Sequence, residues 1–299
     1  MGVLTSDDGR VRLGWRLLAF VVLTVVLAFP VLAFAPGGLV TSSFALLLGS
    51  MAAGWCMLAL DGRGPAALGF HPSLEAPVEL VKGLALGTAV GLLVVALMAL
   101  TGGVRWVSET GSPGAWLSGA LGALAFLAVP AAAEEALLRG YPLQALGEAW
   151  GAWVAVVVTA VVFGLLHLAN PGVGPLSTAN IAVAGLLLGV VYVRTLSLWW
   201  ATGAHLGWNW AHGYVADVPV SGLELDVLDA PLYQGMTSGP EWLGGGAFGP
   251  EGSVVTTVVV LALTAALWWG PWLKPGTTME RAEALMGGPA DMHTKDLEA

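Results

Sequence analysis

Long apolar stretches separated by short polar segments dominate the chain. A helix needs about 20 predominantly apolar residues to cross about 30 Å of hydrocarbon, and eight segments match that template. They are residues 13–35, 39–60, 80–100, 115–138, 149–169, 179–195, 196–215 and 254–273. None of them shows the two-residue alternation of a membrane β-strand. The pattern therefore predicts an all-α fold, a polytopic transmembrane helical bundle with about eight spans.

The composition agrees with a membrane protein and excludes other classes. Hydrophobic residues make up 57% of the chain, charged residues make up 10%, and the mean hydropathy is +0.79. Soluble domains carry about 25% charged residues. A net charge of -9 without a basic run argues against a nucleic-acid partner. The single cysteine, Cys56, excludes an intramolecular disulfide and a zinc site built from cysteines.

The basic residues indicate the orientation of the bundle. If the chain crosses the membrane eight times with both ends on one side, every arginine and lysine except Arg105 lies on or toward the side of the N-terminus. Cytoplasmic loops carry an excess of these residues, so both termini are predicted to be cytoplasmic. The connection 216–253 then faces outward, contains no basic residue, and is predicted to be a loop from its glycine and proline content. The expected location is the cytoplasmic (plasma) membrane, with the lipid bilayer as a partner.

These boundaries divide the chain into six predicted regions. They are a cytoplasmic N-terminus (1–12), N-terminal transmembrane helices (13–114), a helical core (115–215), an acidic extracytoplasmic loop (216–253), a last transmembrane helix (254–273) and a cytoplasmic polar tail (274–299). The helical core contains the intramembrane polar residues, and such residues are functional candidates because burying them in lipid is costly.

Two glutamates and an arginine lie on the fourth predicted span. Glu135 and Arg139 are four residues apart and can pair on one helix face. Glu134 lacks that partner, and an unpaired carboxylate away from water holds a proton more readily than an exposed one. Glu134 is therefore a candidate general base. The alternative is that both glutamates pair with cations on other helices and only stabilise the bundle.

Two further polar pairs lie on the fifth and seventh spans. Phe163 precedes His167 by four residues, so its ring can wall the space around the imidazole. His205 and Asn209 are also four residues apart and share a helix face. Two donors on one face can form an oxyanion hole, whereas the alternative is an interhelical hydrogen-bond clasp. Together with a base, these groups are the components needed for attack of water on a carbonyl.

The predicted spans place the candidate base, Glu134, and the imidazole of His167 at different depths in the membrane. Glu134 lies near the cytoplasmic end of its span, whereas His167 lies deep in the fifth span. The two side chains meet only if the fourth helix continues beyond Arg139, or if the fifth helix begins below the membrane surface. Pro130 and Pro142 flank the glutamates and can kink that helix.

In this order and spacing the polar residues resemble the motifs of the CPBP intramembrane proteases, named for CAAX proteases and bacteriocin-processing enzymes and also called the abortive-infection family. The family's Glu-Glu-x-x-x-Arg matches residues 134–139, its Phe-x-x-x-His matches residues 163–167, and its His-x-x-x-Asn matches residues 205–209. The resemblance covers roughly residues 115–215. It implies that this segment is the catalytic core of a helical-bundle endopeptidase, whose eukaryotic relatives remove the last three residues of prenylated CAAX proteins.

The resemblance also implies a role for each matched residue. Glu134 and His167 would activate water, and His205 and Asn209 would stabilise the oxyanion. The implied supporting residues are Glu135, Arg139 and Phe163. Glu134, His167 and His205 can also hold a zinc ion with an open position, so the need for a metal stays undecided. The implied substrate is a peptide or a lipidated protein.

Other functional classes are compatible with buried polar residues. A non-catalytic binding or immunity protein would share the fold, and a proton-coupled transporter would use the carboxylates as a relay. Every motif residue is present, which favours the peptidase, and the chain has no internal repeat of the kind found in transporters. The motifs His-Glu-x-x-His, Gly-x-Ser-Gly and Gly-x-Gly-Asp are absent, which excludes three other intramembrane protease chemistries.

Overall fold

The structure, a computed structural model, describes residues 11–35, 37–225 and 231–276. Parts of four predicted regions lie outside the described residues. They are residues 1–10 of the N-terminus, residue 36 of the N-terminal transmembrane region, residues 226–230 of the acidic loop and residues 277–299 of the polar tail.

Helices occupy each of the eight predicted segments, and the described chain is mostly helical. The helices are α1 (Leu13–Phe34), α2 (Leu39–Leu60), α3 (Ala76–Leu100), α4 (Pro113–Leu138), α5 (Tyr141–Trp150), α6 (Ala152–Leu166), α7 (Pro175–Thr195), α8 (Leu198–Trp210), α9 (Glu241–Gly244) and α10 (Val254–Trp269). Short 3-10 helices cover Pro65–Leu68, Gly246–Phe248 and Pro250–Gly252, and a π-helical turn, Ala211–Val215, extends α8.

Among the described residues, five helical segments are long and apolar enough to cross a membrane. They are Leu13–Phe34, Leu39–Leu60, Ala76–Leu100, Pro113–Trp150 and Pro175–Thr195. The helices α6 and α10 are apolar but have only 15 and 16 residues. These helices support an integral membrane protein, while the count of eight spans and the orientation stay predictions.

The helix that carries the two glutamates is interrupted and then continues. α4 ends at Leu138, and α5 begins two residues after the C-cap Arg139, with a proline in its first turn. A proline is tolerated there because the first amides of a helix have no partner within it. α5 adds 10 residues, or about 15 Å of helix, before α6 begins. The chain therefore stays helical beyond Arg139, which is the first of the two arrangements that allow Glu134 and His167 to meet.

Glycines bring α3 and α8 into close contact at the centre of the bundle. A Cβ added at Gly87 would lie 1.9 Å from the carbonyl oxygen of Ala204, and one added at Gly207 would lie 2.2 Å from the carbonyl oxygen of Leu84. Small residues permit this approach of two backbones in a membrane protein. The position of α8, which carries His205, is therefore set by its packing against α3.

Two short strands depart from the predicted all-α fold. β1 (Val104–Ser108) follows α3, and β2 (Tyr233–Thr237) lies in the acidic connection. They pair antiparallel, from Val104 opposite Thr237 to Ser108 opposite Tyr233. The connection 216–253, predicted as a loop, contains β2, α9 and two 3-10 helices that its glycine and proline content did not indicate. Strands of five residues are too short for their alternation to be recognised beside such long apolar helices.

Candidate active site

Three helices bring the predicted base and the two predicted histidines together. Glu134 lies in the last turns of α4, His167 is the C-cap of α6, and His205 lies within α8. Oε2 of Glu134 is 3.9 Å from Nε2 of His167 and 3.8 Å from Nε2 of His205. The carboxylate therefore faces both imidazoles.

The second glutamate holds His205 from the opposite side of the ring. Oε1 of Glu135 is 3.0 Å from Nδ1 of His205 and 3.2 Å from Nη1 of Arg139. Glu135 and Arg139 both have fully buried side chains. Nη2 of Arg139 donates to the carbonyl oxygen of Gly185, and its guanidinium carbon lies 4.6 Å from the centre of the Phe163 ring. The arginine thus balances the charge of the carboxylate that orients His205.

The hydrogen bonds of the two rings determine which nitrogen faces Glu134. Nδ1 of His167 is 2.8 Å from the carbonyl oxygen of Phe163, and that oxygen can only accept a hydrogen bond. Nδ1 of His205 faces the carboxylate of Glu135 in the same way. In a neutral imidazole the proton then resides on Nδ1, so Nε2 carries a lone pair. Both Nε2 atoms can therefore accept a proton from water or bind a cation.

The ring of Phe163 forms one wall beside both histidines. Its centroid is 4.7 Å from that of His167 and 5.8 Å from that of His205, with both pairs in an edge-on arrangement. The side chain is buried. A rigid apolar ring between two imidazoles restricts their rotation and keeps bulk water from that side of the site.

Glu134 is the least enclosed of these side chains. Its side chain is 33% exposed, and its buried Oε2 atom has no hydrogen-bond partner among residues 11–35, 37–225 and 231–276. A buried carboxylate oxygen normally has a partner, so this atom is available to water, substrate or a cation. Oε2 of Glu135 also has no hydrogen-bond partner among the described residues, but that side chain is fully buried, and its Oε1 contacts His205 and Arg139. Exposure and position on the cavity therefore distinguish Glu134 from Glu135.

A cavity of about 490 Å³ adjoins the three side chains. Its polar lining consists of Glu134, His167, Asn170, His205, Asn209, Ser221 and Glu251. Its apolar lining includes Leu39 and Leu46 of α2, Leu86 and Val90 of α3, Leu187 of α7 and Val260 of α10. The cavity therefore has mostly apolar walls with a few polar side chains, as ligand-binding sites usually do. Each of the four predicted catalytic residues reaches it.

The helices that form this site lie in the part of the sequence that matches a known protein family. Residues 115–211 match the family of proteins described as type II CAAX prenyl endopeptidase Rce1-like. This segment is Rce1-like. The resemblance to CPBP proteases predicted from the motifs is therefore confirmed over this segment, which includes all four predicted catalytic residues. No curated protein matches the chain.

One acidic residue outside the Rce1-like segment reaches the cavity and was not predicted. The carboxylate of Glu251 is buried and accepts hydrogen bonds from Nε1 of Trp208 at 2.7 Å, and from the amide and hydroxyl of Ser221 at 2.6 and 2.7 Å. It ties the acidic connection to α8, close to His205 in the chain. Nothing in the sequence separates Glu251 from the other acidic residues of that connection.

The catalytic candidates also have the donor chemistry of a metal site. Histidines that bind metals usually donate their other ring N–H to a carboxylate or a carbonyl, and both His167 and His205 are placed to do so. The separations of 3.8 and 3.9 Å from Glu134 exceed the roughly 3.3–3.4 Å expected between two tetrahedral zinc ligands at about 2.0–2.1 Å. The residues therefore fit a divalent metal in type, and binding would draw them closer together.

Proposed function

We propose that this protein is an intramembrane endopeptidase that hydrolyses a peptide bond of a membrane-associated protein or peptide. The observation that carries the proposal is that Oε2 of Glu134 faces Nε2 of His167 and of His205 beside an apolar cavity. The Rce1-like match supports a peptidase that acts on a protein substrate in a membrane context. The site residues and their roles are part of the proposal.

Glu134 is the proposed general base. Its carboxylate takes a proton from a water molecule held between Glu134 and His167, and the water oxygen forms a bond to the substrate carbonyl carbon as the carbonyl electron pair moves onto oxygen. When the tetrahedral intermediate collapses, the C–N bond breaks and Glu134 returns the proton to the departing nitrogen. The hydrogen bond from Nδ1 of His167 to Phe163 keeps Nε2 directed at that water.

Asn209 is the proposed donor to the oxyanion in every protonation state of the site. His205 can donate from Nε2 only as an imidazolium, because its Nδ1–H is directed at Glu135. The negative charge of Glu135 stabilises that imidazolium. Donors aimed at the position of developing charge are a large source of transition-state stabilisation. The role of His205 therefore depends on a proton that Glu135 helps to hold.

If the reaction needs a metal, Glu134, His167 and His205 are the residues that would hold it. Such an ion would polarise the substrate carbonyl and lower the pKa of a bound water. Glu135 would then be the remaining candidate base within the motif, and its ion pair with Arg139 argues against that role. Glu251, the other carboxylate at the cavity, already accepts hydrogen bonds from Trp208 and Ser221. Glu134 as the base is the simpler assignment.

The substrate is proposed to carry an apolar chain next to the scissile bond, as a lipidated C-terminal peptide does. The apolar walls of the cavity, from Leu39 on α2 to Val260 on α10, support this. We also propose that the protein lies in the cytoplasmic membrane with eight spans and both termini inside. That arrangement places the acidic connection 216–253 outside.

The test is cleavage of quenched fluorogenic peptides, including prenylated CAAX-type members, by the detergent-purified full chain. We expect Glu134→Gln to lower kcat/KM by at least about 100-fold, because it removes the proton acceptor and keeps the side-chain size. Glu109→Gln, which changes an exposed carboxylate far from the cavity, is the matched control. Equal cleavage by Glu134→Gln and the wild type would overturn the role of Glu134. Parallel assays with a chelator decide whether a metal is required.

A further inference from the structure

A second group of histidine and acidic side chains lies outside the cavity, where α3 begins. His71 precedes the helix, Glu75 is its N-cap, and Glu79 lies in its first turn. The ligand atoms of these three side chains all lie within 4.8 Å of one another. In the part of the chain that the structure describes, no other group of three histidine, cysteine or acidic residues meets this distance. The group therefore differs from the three catalytic candidates, which are more widely spaced.

His71 is the observation that points to a ligand. Its imidazole is 1% exposed, and neither ring nitrogen has a hydrogen-bond partner among the described residues. Nε2 lies 3.6 Å from Oε2 of Glu79, beyond the roughly 2.7–3.2 Å of a hydrogen bond. It is close to the roughly 3.3–3.4 Å between two tetrahedral ligands of one zinc ion. A buried ring without hydrogen-bond partners in the described chain lies beside two carboxylates, and a cation shared by the three side chains would satisfy the ring.

Neighbouring residues hold the carboxylate of Glu79 and the backbone of His71 in place. The hydroxyl of Ser197 donates to Oε2 of Glu79 at 2.6 Å, and Nε1 of Trp199 donates to the carbonyl oxygen of His71 at 3.0 Å. Partners of this kind hold the ligands of a metal in place and are a regular part of metal sites. Ser197 and Trp199 belong to the start of α8, so they connect the group to the helix that carries His205.

The chain after the last helix closes over the two carboxylates. A Cβ added at Gly276 would lie 2.7 Å from Oε2 of Glu75 and 2.8 Å from Oε1 of Glu79. Only a residue without a side chain leaves both oxygens undisturbed at this distance. The group is thus enclosed by the loop before α3, the start of α3, the start of α8 and the segment after α10.

We propose that His71, Glu75 and Glu79 form a structural site for a divalent transition metal, with zinc as the best match. One imidazole and two carboxylates provide three zinc ligands, and water can complete four-coordination. The imidazole favours zinc over magnesium or calcium, which prefer sites made only of oxygen ligands. The bound ion would fasten the start of α3 to the loop that precedes it. This proposal does not depend on the peptidase activity, because it uses none of the residues at the cavity.

The test is zinc binding by the detergent-purified full chain, measured by competition with a chromophoric chelator and by elemental analysis. The Glu134→Gln background removes a ligand of the catalytic set, so zinc that remains bound reports on the second site. We expect about one ion per chain in that background. Adding Glu75→Gln or Glu79→Gln should weaken binding by at least about tenfold, while adding Glu109→Gln should leave it unchanged.

Two further measurements separate binding from misfolding. Cobalt(II) bound in place of zinc should give visible absorption bands of a four-coordinate ion, and Glu75→Gln should abolish them. Glu75 is only half-buried, so this variant should retain the gel-filtration profile of the parent protein. Zinc should raise the unfolding temperature of the Glu134→Gln parent but not that of the double variant. Absence of zinc from the parent, or unchanged affinity in the folded Glu75→Gln variant, would overturn the proposal.

Discussion

Nδ1 of His205 lies 3.0 Å from Oε1 of Glu135, and this contact joins α8 to α4 through two residues that are 70 positions apart in the chain. Because of this contact, the adjacent residues Glu134 and Glu135 have different surroundings. Glu135 is bound to His205 and Arg139 in a fully buried position, whereas Glu134 has a side chain that is 33% exposed, lines the cavity and faces Nε2 of both histidines. The two adjacent glutamates are therefore expected to differ in their contribution to the stability of the protein and in their role in the reaction.

Glu135→Gln is expected to destabilise the protein. The substitution leaves the Arg139 guanidinium buried without its carboxylate, and removal of one partner of a buried ion pair costs about 3–5 kcal/mol. The measurement is thermal unfolding of the purified protein in detergent. A variant with the unfolding temperature of the wild type and no activity would instead make Glu135 a participant in the reaction.

Glu134→Gln is expected to leave the unfolding temperature unchanged or to raise it. The substitution removes a charge whose buried oxygen has no hydrogen-bond partner in the described chain, and residues at active sites often reduce stability for the benefit of function. The same unfolding assay applies, with Glu109→Gln as the reference. A large loss of stability in Glu134→Gln would show that this carboxylate supports the bundle and would interchange the roles of the two glutamates.

Asn209→Ala is expected to lower kcat with little change in KM. Loss of one oxyanion donor costs about 100- to 1,000-fold in kcat because the interaction forms mainly in the transition state. Steady-state cleavage of the best fluorogenic peptide separates the two constants. If KM rises while kcat stays constant, Asn209 binds the substrate in its ground state and the proposed oxyanion role fails.

Gly207→Ala is expected to destabilise the protein and to reduce activity together. The added Cβ would lie 2.2 Å from the carbonyl oxygen of Leu84, so α8 would have to move away from α3. Such overpacking typically costs about 1–3 kcal/mol. Gly122→Ala on the exposed face of α4, where an added Cβ meets nothing within 4 Å, should not destabilise the protein, because alanine is favoured over glycine inside a helix by about 0.5–1 kcal/mol. Equal unfolding temperatures for the two variants would contradict this account of the packing of α3 and α8.

Features that depend on residues close together in the chain could be predicted from the sequence. Apolar length predicted a helix in each of eight segments, and spacing of four residues predicted the pairing of Glu135 with Arg139. Contacts between distant segments left no such pattern, so neither the link from Glu135 to His205 nor the place of Glu251 on the cavity wall could be read from the chain. The ligand group at His71 was missed for the same reason, because the histidine lies in a loop and its burial depends on three other segments.

The small sheet anchors one wall of the cavity. β2 belongs to the connection that contributes Ser221, Leu223 and Glu251 to the cavity wall, and its pairing with β1 ties that connection to the end of α3. The pairing covers five residues on each strand, from Val104 opposite Thr237 to Ser108 opposite Tyr233. Ser221 and Glu251 at the cavity are therefore held from two directions, by the hydrogen bonds that Glu251 accepts and by the sheet that anchors their connection to the end of α3.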